Sequence, residues 1–124
     1  MKLELARAQE IADQLDSLAP VAVTRFFSGA GLTRHGIQFG FVIRGTVYFR
    51  TDAESRPDYV AAGSEPFSYA GRNRDVTIQA YYETPVDVLD DPEELNRWAG
   101  RAYRAAVAAH KPKPRRKTKA AARA

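Results

Sequence analysis

Apolar side chains recur at helical spacing at Leu5, Ala8, Ala12, Leu15 and Leu18, with Ile11 beside them. Glu4, Arg7, Glu10, Asp13, Gln14 and Asp16 mostly fall off that stripe. The pattern predicts an amphipathic helix over residues 3–18, stopped by Ala19-Pro20. Residues 21–28 are β-rich and lead into Ser28-Gly29-Ala30-Gly31. Short strands are expected over 32–34, 37–42 and 46–51. His35-Gly36 suits a two-residue hairpin loop, which sets Leu32 opposite Phe39. At Arg44-Gly45 a two-residue loop would set Phe39 opposite Arg50. A three-residue loop, Ile43-Arg44-Gly45, pairs Phe39 with Phe49 and Phe41 with Val47, and keeps one face apolar. Since a one-residue slip moves every side chain to the other face, the three-residue loop is the expectation.

Residues 52–62 read as a short helix, with Pro57 confined to its first turn and Gly63 as its stop. Residues 66–69 and 76–83 are the last strand candidates, joined by the polar turn at 71–75. Asp91-Pro92-Glu93-Glu94 predicts a helix start, with Asp91 as cap, Pro92 at the first helical position and Glu94 completing a capping box. Leu95, Trp98, Ala102 and Ala106 then form an apolar stripe, with Ala99 alongside. Long helices flanking successive hairpins imply an α+β fold, a mainly antiparallel sheet packed with N- and C-terminal helices.

The expected faces locate the chemistry. One carries Leu32, Phe39, Phe41, Val47 and Phe49; the other carries Gln38, Gly40, Val42, Thr46, Tyr48 and Arg50. The last strand alternates Val76, Ile78, Ala80 and Tyr82 against Thr77, Gln79 and Tyr81. With helices on the first face only, Gln38, Tyr48, Arg50, Gln79 and Tyr81 form an open polar-aromatic surface. Tyr and Arg are enriched in binding hot spots, which makes that face the expected partner surface.

Charge divides the chain in two. Seven of its 19 Lys and Arg lie in residues 111–124, which hold no acid. The other 110 residues carry 12 basic and 15 acidic groups, a net of −3. The expected organisation is a domain over 1–109 and a disordered basic tail over 110–124. Lys111, Lys113, Arg115, Arg116, Lys117, Lys119 and Arg123 are the candidate nucleic-acid contacts, acting on phosphates by counterion release. The N-terminus is charged where a signal peptide needs an apolar core, and no apolar run is long enough for a membrane span. With no cysteine, thiol catalysis and zinc-thiolate sites are excluded. A cytoplasmic location fits.

Catalytic constellations are thin. His35 sits in a turn and His110 at the start of the tail, neither with a local nucleophile or carboxylate partner. Asp87, Asp90, Asp91, Glu93 and Glu94 are acids of a helix start and are not spaced as a metal loop. Ser28 to Gly31 lacks the Lys-Ser/Thr of a phosphate-binding loop and leads to a strand, so its glycines read as a bend or bulge. No enzyme, cofactor or metal is expected.

Phe26-Phe27-Ser28-Gly29-Ala30-Gly31, Phe39-Gly40-Phe41, Tyr48-Phe49-Arg50, the 61–67 segment Ala-Ala-Gly-Ser-Glu-Pro-Phe, Tyr81-Tyr82-Glu83-Thr84-Pro85 and Trp98 stand in an order and spacing that resemble the TfoX N-terminal domain family. The resemblance runs from Arg25 to about Tyr103. It departs at Phe26 and Ser28, where the family usually has Met and Gly. It implies a sheet of about five strands related to the secretion-chaperone-like fold. It implies a regulatory or adaptor role like that of the TfoX/Sxy competence regulators, which promote DNA-uptake gene expression with the cAMP receptor protein. Those regulators carry a second C-terminal domain, and the expectation here is the stand-alone form, with self-association as a homodimer the other partner reading. Arg25, Arg50, Arg56 and Tyr82 resemble recurrent family positions and are expected in ion pairs or partner contacts.

Overall fold

The computed structural model describes residues 2–110. Helix α1 (Lys2–Gln14) gives way to one 3-10 turn at Asp16–Leu18. The helix therefore stops earlier than the apolar stripe, because its last turn before Pro20 tightens, a common way for a helix to end. Leu15 and Leu18 are buried all the same. Four strands follow: β1 (Ala22–Phe26), β2 (Gly29–Arg34), β3 (Ile37–Ile43) and β4 (Thr46–Arg50). After α2 (Arg56–Ala61) come β5 (Pro66–Ala70), β6 (Asp75–Glu83), the single-turn α3 (Val86–Leu89) and α4 (Pro92–Ala109).

The architecture is α+β, with six strands where about five were expected, in the order β1-β2-β3-β4-β6-β5. Every neighbouring pair is antiparallel. Helices α1 and α4 cover one face of β2–β4. Asn96 binds them together: its Nδ2 donates to Gln14 O (2.8 Å), and its Oδ1 accepts from the Ser17 backbone N–H (3.1 Å) and hydroxyl (2.7 Å).

Two details of register differ from the sequence reading. Arg44-Gly45 is a two-residue loop, since Ile43 pairs with Thr46 and Phe41 with Tyr48. Arg44 (φ 53°) and Gly45 (φ 79°) are both left-handed, as are His35 (φ 52°) and Gly36 (φ 79°). Such backbone matches the twist of the flanking strands. The second difference is a bulge: Thr33 pairs with Gln38 but Leu32 pairs with Gly40, leaving Phe39 as the extra residue. Phe39 and Gly40 thus face Leu32 together. The bulge keeps Phe39 with Phe49, ring centroids 6.3 Å apart, despite the shorter loop. It also moves Gly40 and Val42 to the helix side and sends Phe41 to the opposite side.

At α4, Asp91 is the cap: its Oδ1 accepts from the N–H of Glu93 (3.0 Å) and Glu94 (3.3 Å). Glu94 does not return to complete a box. Its carboxylate accepts from Arg97 Nη2 (2.6 Å) and Trp98 Nε1 (3.1 Å). Asp91→Ala is expected to cost about 1 kcal/mol. That is a fall of about 4–8 °C in thermal midpoint, read by circular dichroism.

Candidate functional site at the aromatic sheet face

The face away from the helices is apolar at its centre. Phe41, Ile43 and Phe67 are buried there, with Phe26, Tyr48, Ile78 and Tyr81 packed against them. Phe67 belongs to β5 at the sheet edge, yet its ring centroid lies 5.0 Å from that of Phe41 in β3. The contact requires the β5–β6 hairpin to curl over the face. Pairing shows where it bends: β4 holds β6 only at residues 81–83, while β5 holds β6 at 75–78 and again at Tyr82. The register slips between Pro66 and Phe67, so Ile78 and Tyr81, three residues apart, both turn to this face.

This arrangement corrects the expectation of an open polar-aromatic surface. Tyr48 is half-buried, its ring 5.3 Å from Phe41 and 5.0 Å from Phe67. The Arg50 guanidinium lies 5.5 Å from the Tyr81 ring, and its buried Nε has no hydrogen-bond partner among the described residues. The Tyr81 hydroxyl donates to Gln38 O (3.4 Å). Gln79 departs from the group: it is exposed, and its Oε1 accepts from the hydroxyl of Tyr82, whose ring belongs to the helix-side core. Four of the five expected residues therefore share one face, as the rim of a second small core.

Burial raises the Tyr48 phenol above its ordinary range, with Glu83 adding to the effect and Arg44 opposing it. A folded-state pKa above the unfolded one gives stability that is full below the unfolded value and lost as pH rises through the folded value. Tyr48 therefore contributes to alkaline unfolding above about pH 10. Tyr48→Phe keeps the ring and removes the titration. Its thermal midpoint is expected to fall less steeply than that of the parent above that pH.

The glycines of the Ser28 to Gly31 segment are not a bend. Gly29 and Gly31 lie inside β2, and the chain reverses at the two-residue turn Phe27-Ser28, where Phe26 pairs with Gly29. Phe27 has φ 52°, a left-handed conformation that is an outlier for a bulky ring and costs about 1–3 kcal/mol. Its side chain is 71% exposed and Tyr69 is 42% exposed; their centroids are 6.3 Å apart. Two apolar cavities adjoin here. One, of about 210 Å³, is lined by Phe27, Ile43, Arg44, Phe67 and Tyr69 among others. The other, of about 220 Å³, shares Phe27, Phe67 and Tyr69 and reaches Phe41. Sequence reasoning missed Phe27 and Tyr69 as surface rings. The signal was present: a turn as short as Phe27-Ser28 has no interior in which to hide a phenylalanine.

Elsewhere the candidate groups stay apart. His35 and His110 are exposed. Among the described residues no group of three or more His, Asp or Glu side chains is placed to hold a metal. Arg25, Arg50 and Arg56 form no ion pair among the described residues; Arg56 Nε donates to Thr51 Oγ1 (3.4 Å). Ion pairs among the described residues include Arg7–Glu10, Arg97–Glu94 and Arg101–Asp58. Lys111, Lys113, Arg115, Arg116, Lys117, Lys119 and Arg123 lie outside the described residues. No described helix is long and apolar enough to cross a membrane.

Comparison with curated proteins finds no match to the chain. The TfoX N-terminal domain family model matches residues 13–106, from the last two residues of α1 to the last turn of α4, and so takes in all six strands and the aromatic face. The chain belongs to the TfoX N-terminal domain family.

Proposed function

We propose that the protein is a non-enzymatic, cytoplasmic adaptor that acts by binding another protein, in the manner of the competence regulators its family is named for. The observation that carries this reading is the family match over the whole sheet and most of α4. It is supported by an aromatic face that leaves large rings in solvent. By resemblance, the partner is a transcription regulator of the cAMP receptor protein kind, and self-association as a homodimer is the competing arrangement. Gln38, Tyr48, Arg50, Gln79 and Tyr81 remain the proposed rim contacts. The test is capture from nuclease-treated native lysate with the full chain and with a form ending at His110. Recovery of one protein by both forms supports the adaptor. Failure of both to recover any protein, with the chain monomeric, overturns it.

The seven basic residues of 111–124 favour a second reading, non-specific binding of DNA or RNA through the tail. Fluorescence anisotropy with duplex DNA is expected to show binding that weakens steeply with salt for the full chain and is absent for the form ending at His110. Equal binding by both forms removes the tail from consideration.

A further inference from the structure

The paired cavities beside Phe27 have features that select a ligand. Each holds about 210 to 220 Å³, below the roughly 300 Å³ at which small-molecule sites begin. Each is about seven times the share of one water molecule, the space of one large side chain. The walls are rings: Phe26, Phe27, Phe41, Phe67, Tyr69 and Tyr81. The single charged side chain at either cavity is Arg44, at the end next to Ile43. Arg44 is exposed and forms no ion pair among the described residues. It stands in a left-handed turn between β3 and β4 that fixes where the side chain begins. Phe27 is held outward by a backbone conformation that disfavours a bulky residue, and strain of that kind is concentrated at ligand clamps.

We propose that Phe27 and Tyr69 are the jaws of a docking groove for a partner protein's peptide segment, one that inserts a large apolar side chain between them and places a neighbouring carboxylate on Arg44. The groove deepens the adaptor reading and rests on it. The unanswered guanidinium distinguishes an acidic-apolar segment from a purely apolar one, and a bidentate Arg–carboxylate bond supplies orientation as well as attraction.

The probe is a displayed library of short random peptides selected on the full-length protein, followed by anisotropy with the enriched peptides made synthetically. Enriched sequences are expected to carry Leu, Phe, Met or Trp within two positions of Asp or Glu. Phe27→Gly combined with Tyr69→Ser should weaken them by about thirtyfold, the scale of a lost hot-spot ring. Glycine accepts the left-handed backbone, so the variant's thermal midpoint checks that folding is intact. Arg44→Glu should weaken acidic peptides and favour Lys-bearing ones. Enrichment without acids, or affinity unchanged by the double variant, overturns the groove. So does no enrichment at all. If the lysate partner is still recovered by the double variant, the adaptor reading stands and the groove falls. A dimer in sedimentation that the double variant abolishes would instead seat a second copy and overturn the peptide assignment.

Discussion

Gly29→Ala is expected to lose more than about 3 kcal/mol of stability, the upper range for overpacking a closed site. A β-carbon at Gly29 would stand 2.0 Å from Val42 O and 2.9 Å from Ile43 Cγ1. The first of these atoms is backbone, so no rotamer change makes room; β2 and β3 must part. Gly36→Ala offers the contrast. Nothing lies within 4 Å of a β-carbon there, but the backbone has φ 79°. That change costs only the left-handed penalty, about 1–2 kcal/mol. Urea melts of the two variants should therefore separate widely. The Gly29 variant is expected to lose at least about 12 °C of thermal midpoint, since each kcal/mol is worth about 4–8 °C in a domain of this size. Against a total stability of about 5–15 kcal/mol, that loss removes between about a fifth and about three fifths of the folding free energy. A Gly29→Ala protein as stable as its parent would show that β2 and β3 are not in the described register.

Phe41→Ala is expected to cost about 3–5 kcal/mol, as much as Phe39→Ala, although the two rings lie on opposite faces. Both side chains are essentially inaccessible, 1% and 0% exposed. The distinguishing measurement is the double-mutant cycle. Phe41 and Phe67 meet edge to face at 5.0 Å, interplanar angle 79°. Their coupling is expected at about 0.5–1.5 kcal/mol. Phe39 belongs to the helix-side cluster and Phe67 to the other, so that pair should be additive within about 0.5 kcal/mol. Coupling between Phe39 and Phe67 equal to that of Phe41 and Phe67 would mean one merged core and would refute the curled hairpin.

The elements were legible where chemistry is local. Asp91 and Pro92 marked the start of α4 because a cap and a fixed φ act within one turn. Gly63 marked the end of α2 for the same kind of reason, following it at φ 83°, whereas the helix starts at Arg56, four residues later than the expected 52, which puts Pro57 in its first turn. Pairing across strands was less legible. The three-residue loop was inferred by demanding one apolar face, and this sheet has two. Once Phe41 and Ile43 can be buried opposite Phe39 and Val42, alternation no longer chooses a register. The bulge at Phe39 adds a residue that leaves no trace in composition. The expected grouping was legible in part: Gln38, Tyr48, Arg50 and Tyr81 do converge on one face. That β5 folds back over them depends on a bend at residues 79–81, in a stretch that reads as uninterrupted strand.

The strand β3 is clasped between both cores, its last five residues buried. That position predicts how the molecule opens. Amides of β2 and β3 should exchange with deuterium only on global unfolding, whereas β5, paired on one side and mostly exposed beyond Phe67, should exchange through local opening. Lifting the β5–β6 hairpin would bare Phe41 and Tyr48 while α1 and α4 stay docked. The protein would then have a breathing mode that enlarges its aromatic face without disturbing the helical layer behind it.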